Sequence, residues 1–244
     1  MKPRRTQNRT PNIIVVNAKD NAPAEILIYD DIGPDWLGMI GSKTIAQALK
    51  DLGNPKEITV RLNSPGGSVF EGVAIYNQFK NHKATINMEI DSLAASIASI
   101  IAMAGDQIRI AGNAMMMIHD PMAVTWGNAE EMQKTVDLLK QVKDNMLIPT
   151  YAARTGEKTS PETLGQLMTE ETWFSAEEAV EAGLADEVSA NKEVSAYVDT
   201  EVFGYKHVPE KFTDPKAAGQ LPELDEFTLR NLAERRLELA ARTS

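Results

Sequence analysis

The chain has 244 residues, no cysteine and a formal net charge of −10. That length supports one domain of ordinary size plus extensions, with a core that needs no covalent staples. The lack of cysteine excludes disulfides, thiol catalysis and cysteine-ligated metal, and the acidic balance argues against a nucleic-acid binder, which carries a basic face. Hydrophobic residues at 43% and charged residues at 25% describe a globular chain. The longest apolar run, Ser92 to Gly105, is too short and too rich in Ser and Gly to cross a membrane. Lys2, Arg4, Arg5 and Arg9 are basic, but only Ile13-Ile14-Val15-Val16 follows them, which is no secretory h-region.

In chain order, residues 1–23 read as a polar N-terminal arm. Glu25 to Tyr29 predicts a strand, ended by Asp30, Asp31, Gly33 and Pro34. A helix follows with Ser42 as N-cap, Ile45, Leu49 and Leu52 on one face, and Gly53 as its stop. Ile58 to Leu62 alternates as a second strand and runs into the turn cluster Asn63-Ser64-Pro65-Gly66-Gly67-Ser68, followed by a helix carrying Val69, Val73, Tyr76 and Phe79. Thr85 to Ile90 is a third strand. The run Leu93-Ala94-Ala95-Ser96-Ile97-Ala98-Ser99 then opens a helix at Ser96.

Gln107 to Ile110 and Ala114 to Ile118 are short strands joined by Gly112-Asn113, a pair suited to a tight hairpin-like turn. From Asn128 to about Thr155 the spacing of Met132, Val136, Leu139, Val142 and Met146 is helical, with a kink or break expected at Pro149. Ser160-Pro161 opens another helix, and Ser175-Ala176-Glu177-Glu178 is a capping box for one that Gly183 closes. Leu184 to Val188 returns to the sheet edge. Repeated strand-then-helix units of this kind imply an α/β fold. Residues 191–244 read as a polar, solvated extension; a helix from Asp225 to Ala241 within it would serve, if it docks, a partner or a neighbouring subunit.

Three motifs carry chemistry. A serine just before the first turn of a helix has an exposed hydroxyl while the free amides of Ile97 and Ala98 point toward what it attacks, which makes half an oxyanion hole. The glycine pair after Asn63-Ser64-Pro65 lets main-chain amides approach a ligand, but it lacks the lysine of a phosphate-binding loop. Met115-Met116-Met117-Ile118-His119-Asp120-Pro121 puts a histidine, the side chain suited to proton transfer near neutral pH, at the end of an apolar strand. His82 and His207 lie in polar surroundings and compete poorly. Each motif alone reads more simply as structure, and their joint order is what is specific.

That order, glycine turn, Ala-Ala-Ser, Met-Ile-His-Asp-Pro and an acidic cluster before Ser-Ala-Glu-Glu-Ala, resembles the ClpP peptidase family, phage-type relatives included, over about residues 24–188. The resemblance implies a ClpP/crotonase-like α/β fold of repeated β-β-α units, residues 24–190 being the peptidase domain and the pattern from Asn128 a protruding handle helix through which two stacked heptameric rings meet. It implies Ser96 as nucleophile, His119 as base, the amides of Gly67 and Ile97 as oxyanion hole, and a protein or peptide substrate lying as an added strand beside Gly66, Gly67 and Ser68. No metal or organic cofactor is implied. The family's acid is an aspartate, and alignment on Ser175 to Ala179 places Glu171 there instead, a residue that can orient a histidine from a slightly more distant backbone.

The basic arm, the short Asp30 to Gly41 segment and the extension look more like phage head-maturation relatives. They point to processing of scaffold or capsid precursors in the host cytoplasm rather than to partnership with an unfolding ATPase, which stays open. Three alternatives are weighed against this: a crotonase-fold acyl-CoA enzyme, an inactive structural paralogue in a ClpP-like ring, and a serine-lysine peptidase in which His119 would be replaceable.

Overall fold

The structure, a computed structural model, describes residues 13–16 by backbone alone and residues 24–217 in full. The sheet runs in the order β1-β2-β3-β4-β5-β8, with β1 Ile13–Val16, β2 Ala24–Ile28, β3 Glu57–Ser64, β4 Thr85–Ala95, β5 Gln107–Ala111 and β8 Glu187–Ser189. All neighbours in it are parallel except β1, which pairs antiparallel with β2. The strand β1 falls within the expected arm, where four consecutive β-branched residues favour extended backbone. Residues 1–12 and the helix expected at Asp225 to Ala241 lie outside the described residues.

Strand alternation decides the layers. Ile58, Val60 and Leu62 of β3 and Ile86, Met88 and Ile90 of β4 are fully buried under the helices α1 (Ser42–Leu52), α2 (Val69–Lys80) and α3 (Ile97–Ala102). The intervening Arg61, Glu89 and Arg109 face the other side and pair ionically, Arg61 with Asp91 and Arg109 with Glu89 and Glu187. The expected helices are present with small shifts at their ends. Gly41, not Ser42, is the N-cap of α1, and the Ser42 amide is taken instead by the Glu71 carboxylate at 2.7 Å.

Two strands differ from the sequence expectation in a way that builds the site. The third strand does not end at Ile90 but continues to Ala95, and its register against β3 shifts after Ile90, where Ser64 comes to face Ala94. A shift of this kind bends a strand. Residues 87–90 of β4 pair with β5, while Leu93, Ala94 and Ala95 pair with a different strand, β6 (Met115–Ile118). The hairpin expected about Gly112-Asn113 is therefore not formed: β5 and β6 both run parallel to β4, and the turn between them steps from its first half to its second. β6 pairs antiparallel with β7 (Thr172–Ser175), a four-residue strand that merges into the capping box of α7 (Ala176–Glu181).

The handle consists of α4 (Ala129–Val142), one stretch of π-helix over Lys143–Leu147 and α5 (Ile148–Thr155). The irregularity expected at Pro149 thus lies just before it. A proline has no N–H to give to the carbonyl four residues back, and the wider turn takes up the mismatch. Among the residues of α4, Val142 is the buried one, so the helix stands off the body. α6 (Pro161–Thr169) starts on Ser160, whose hydroxyl accepts from the Thr163 amide.

The bend in β4 is held by a buried ionic cluster. Arg61 donates to both oxygens of Asp91, at 2.8 and 2.6 Å, and the Tyr29 hydroxyl donates to the same carboxylate. Burial raises the Asp91 carboxyl above its ordinary value, with the Arg61 charge opposing. Removing one partner of such a pair leaves the other charge uncompensated. Arg61→Met is therefore expected to lower the free energy of unfolding by about 3 kcal/mol, measured by urea denaturation followed through tryptophan fluorescence.

Candidate active site

Both halves of the site come from beyond the bend in β4, one from its own end and one from the end of β6. Ser96 is the residue at which β4 turns into α3, with φ 55° and ψ −126°. Its amide donates to the Met117 carbonyl of β6 at 2.9 Å, so the serine is tied to the strand that carries the histidine. His119 follows β6 directly, and Ser96 Oγ lies 2.7 Å from His119 Nε2. Both residues remain partly exposed. Among the described residues, Ser96 and Glu171 are the non-glycine positions with positive φ, both at 55°. A left-handed or neighbouring conformation costs such residues on the order of 1–3 kcal/mol and is kept only where the surroundings impose it.

The glycine turn meets the serine from β3. Ser64 Oγ donates to the Asp30 carbonyl at 2.7 Å and accepts from the Gly66 amide, fixing the turn's entry. At Gly66 (φ 98°) a Cβ would sit 2.8 Å from the Ser96 Cβ and 3.3 Å from the Ile97 nitrogen. At Gly67 (φ 141°) it would run into the Ile32 carbonyl. Ile32 pairs with this segment as a parallel bridge, its amide donating to Gly66 O and its carbonyl accepting from Ser68 N, both at 2.8 Å. In that pattern the N–H and C=O of Gly67 itself point to the opposite side. Ile97 N is the first amide of α3 and has no partner within the helix.

A recess beside Ser96 is lined by Val69, Ile97, Ile100, His119, Pro121, Leu147 and Tyr151. Beyond Ser96 and His119 themselves its one polar side chain is Tyr151, whose hydroxyl is occupied: Tyr151 OH and Ser99 Oγ are 2.7 Å apart, while Ser99 Oγ also donates to Ser96 O at 2.6 Å. Ser99 is fully buried and so engaged, which leaves it no role as an alternative nucleophile.

Burial lowers the His119 pKa below its ordinary value, with the charges of Glu171 and then Asp120 opposing. Glu171 sits at the turn into β7 and is nearly buried. Its carboxylate accepts from Lys206 N (2.8 and 2.9 Å), His207 N (2.8 Å) and Trp173 Nε1 (3.3 Å); among the described residues these are its hydrogen-bond donors, and His119 is not one of them. Asp120 is turned away from the site into an ion pair with Lys143 at 2.6 Å. Two of the three donors to Glu171 belong to the extension that the sequence reads as solvated. Instead Ala196, Val198, Tyr205 and Phe212 are buried against Leu93, Ala95 and Met117, the face of β4 and β6 opposite the main core. Among the described residues no helix is long and apolar enough to cross a membrane, and no cluster of His, Asp and Glu suits a metal ion.

Comparison with known proteins bears on the family. The family model described as Clp protease matches residues 39–192, more than half the chain. The chain is 32% identical over 173 residues to the ATP-dependent Clp protease proteolytic subunit of Pleurastrum terricola, covering 68% of this chain and 84% of the relative. It is 34% identical over 168 residues to the ATP-dependent Clp protease proteolytic subunit 2 of Tropheryma whipplei (strain Twist), covering 63% and 88%, and 29% identical over 169 residues to the corresponding subunit of Ligilactobacillus salivarius (strain UCC118), covering 68% and 83%. With an α/β fold that brings a serine hydroxyl onto a histidine at a strand-to-helix turn, and with these relatives, the chain belongs to the Clp protease family and is a serine endopeptidase.

Proposed function

We propose that Ser96 attacks the scissile carbonyl of an extended polypeptide while His119 Nε2 takes its proton. The histidine then returns that proton to the leaving amine, and the acyl-enzyme is hydrolysed by a water that the same histidine activates. The observation that carries this reading is the 2.7 Å contact between Ser96 Oγ and His119 Nε2. The amides of Gly67 and Ile97 hold the developing oxyanion, the first directed away from Ile32 by the bridge, the second at the start of α3. Glu171, held in place by the Lys206 and His207 amides, stabilises the imidazolium by its charge.

The substrate lies along Gly66, Gly67 and Ser68 as an added strand, and the side chain before the cleaved bond enters the recess. The apolar lining of Val69, Ile97, Ile100 and Leu147 supports a preference for an apolar residue there. A ring of identical subunits is supported by Met122, Val124 and Trp126 before α4 and by Met132, Val136 and Leu138 on it, all of which expose apolar surface. The chemistry consumes no nucleotide, so an unfolding ATPase would act as a separate partner. The basic arm and the polar extension support a head-maturation protease in the host cytoplasm, with scaffold or capsid-precursor proteins as substrates.

One experiment tests the core of this reading. The purified chain is weighed by light scattering, treated with a fluorophosphonate and mapped by peptide mass. Modification at Ser96 on an oligomer is expected, and Ser96→Ala should lose both labelling and peptide hydrolysis; labelling elsewhere, or turnover by Ser96→Ala, would falsify the assignment. Glu171→Gln should keep the fold and lose on the order of 10²–10⁴ in turnover, read as kcat on a fluorogenic peptide. The pH dependence follows from the lowered pKa of His119. A general base must be neutral, so kcat/KM should fall on the acid side with an apparent pKa below the ordinary histidine value of 6.5.

A further inference from the structure

The stretch from Ser195 to Phe212 is not accounted for by the chemistry above, yet it touches three parts of the site. One anchor ties it to the sheet, Asn63 Nδ2 donating to Ser195 O at 3.1 Å, and a second closes it on itself, Val198 N donating to Phe212 O at 2.8 Å. Between these anchors α8 (Thr200–Phe203), capped by Asp199, ends on Gly204 with φ 67°, a left-handed turn that delivers Tyr205 inward. The Tyr205 ring packs edge-on against His119 with centroids 5.0 Å apart. Its hydroxyl donates to Pro65 O at 2.7 Å, one residue before the glycine pair. The next two amides, Lys206 and His207, hold Glu171.

We propose that the segment Ser195–Phe212 is a working part of the active site, with Tyr205 as a positioning residue that keeps the His119 ring in register with the Pro65–Gly67 turn while the Lys206 and His207 amides fix the Glu171 carboxylate. The inference rests on the Ser96, His119 and Glu171 reading given above. A carboxylate buried to the extent of Glu171 needs hydrogen-bond donors to remain charged, and the segment supplies main-chain ones that side-chain motion cannot withdraw. Burial pushes the Tyr205 phenol up, so it stays protonated and able to donate to Pro65. Phe203, Trp173 and Phe212 pack around the tyrosine and the strand beneath it, so its ring has little freedom to leave.

The placement distinguishes completion from obstruction. No residue of the segment lines the recess beside Ser96, and Ser96 and His119 keep part of their surface open with the segment docked. The segment approaches from the Leu93, Ala95 and Met117 face, opposite the helices that form the recess. A plug would occupy the recess or the oxyanion amides. This segment leaves the recess open, its Tyr205 meeting His119 and the Ser96 side chain from the far side while its amides grip Glu171.

The test uses the full chain as wild type, Tyr205→Phe and Tyr205→Ala, with kcat, KM and pH profiles on a fluorogenic peptide, fluorophosphonate labelling, and thermal melts. Tyr205→Ala should lower kcat by about 10- to 100-fold, the scale of a misplaced catalytic group, with KM nearly unchanged. It should also move the acid limb of kcat/KM upward, because water then reaches a ring whose lowered pKa comes from burial against the opposing charges of Glu171 and Asp120. Tyr205→Phe keeps the ring, so its limb should stay in place while kcat falls a few-fold from loss of the Pro65 bond. A rise in turnover in either variant, as for a plug, or unchanged kcat and limb in both, overturns the inference. If Tyr205→Ala does not fold, Tyr205→Phe decides alone, a few-fold loss supporting the proposal and no loss overturning it. Absence of Ser96 labelling in the wild type overturns the reading of the site and this inference with it, whereas normal labelling with unaffected Tyr205 variants overturns this inference alone.

Discussion

The bond from the Ser96 amide to the Met117 carbonyl is the point on which the site depends. It exists because β4 outlasts β5 and takes a second partner, β6, after its register shift beyond Ile90. One strand thereby serves two neighbours in succession, and the residue at its end is brought beside the end of the second one. With Ser96 at the first terminus and His119 at the other, hydroxyl and imidazole meet without either side chain leaving its own element. The buried Arg61, Asp91 and Tyr29 cluster sits at the start of the shift and so bears, at a distance, on where Ser96 and His119 are placed.

The backbone at the site is held where residues of these types resist going. Ser96 takes a positive φ between a strand bonded to β6 and a helix whose first turn packs on Gly72, where a Cβ would press on Ile97. Glu171 takes a positive φ where the chain leaves α6 for β7. In both cases the flanking elements are hydrogen-bonded and anchored on the core, which is the condition under which such strain persists. The Glu171 carboxylate would be costly so close to the interior were it not met by three donors.

Much of this was legible in the sequence because it is local. The helices α1, α2, α6 and α7 announce themselves by caps, glycine stops and apolar spacing, and the order of the Ala-Ala-Ser and Met-Ile-His motifs marks Ser96 and His119. What was not legible depends on partners far along the chain. Gly112-Asn113 has hairpin chemistry, and nothing near it says that β4 is long enough to accept both flanking strands one after the other along its edge. The strand β7 is four residues long, too short for alternation to register before the capping box begins. Tyr205 lies in a polar stretch punctuated by prolines, and its partner Pro65 is 140 residues away, so no periodicity could reveal that it is buried.

The pairing of Ile32 with the glycine segment carries a consequence for selectivity. With one edge of Gly66–Ser68 already occupied by the chain itself, the other edge's main-chain groups are left to face a ligand, with the recess next to Ser96 beside them. Main-chain pairing is indifferent to side chains, and one apolar recess accepts several of the common residues. With substrate bound as proposed above, a cleft of this design discriminates little among unfolded polypeptides. On that binding mode, selection rests on which polypeptide can present an extended strand to the cleft, and a folded protein does not present one.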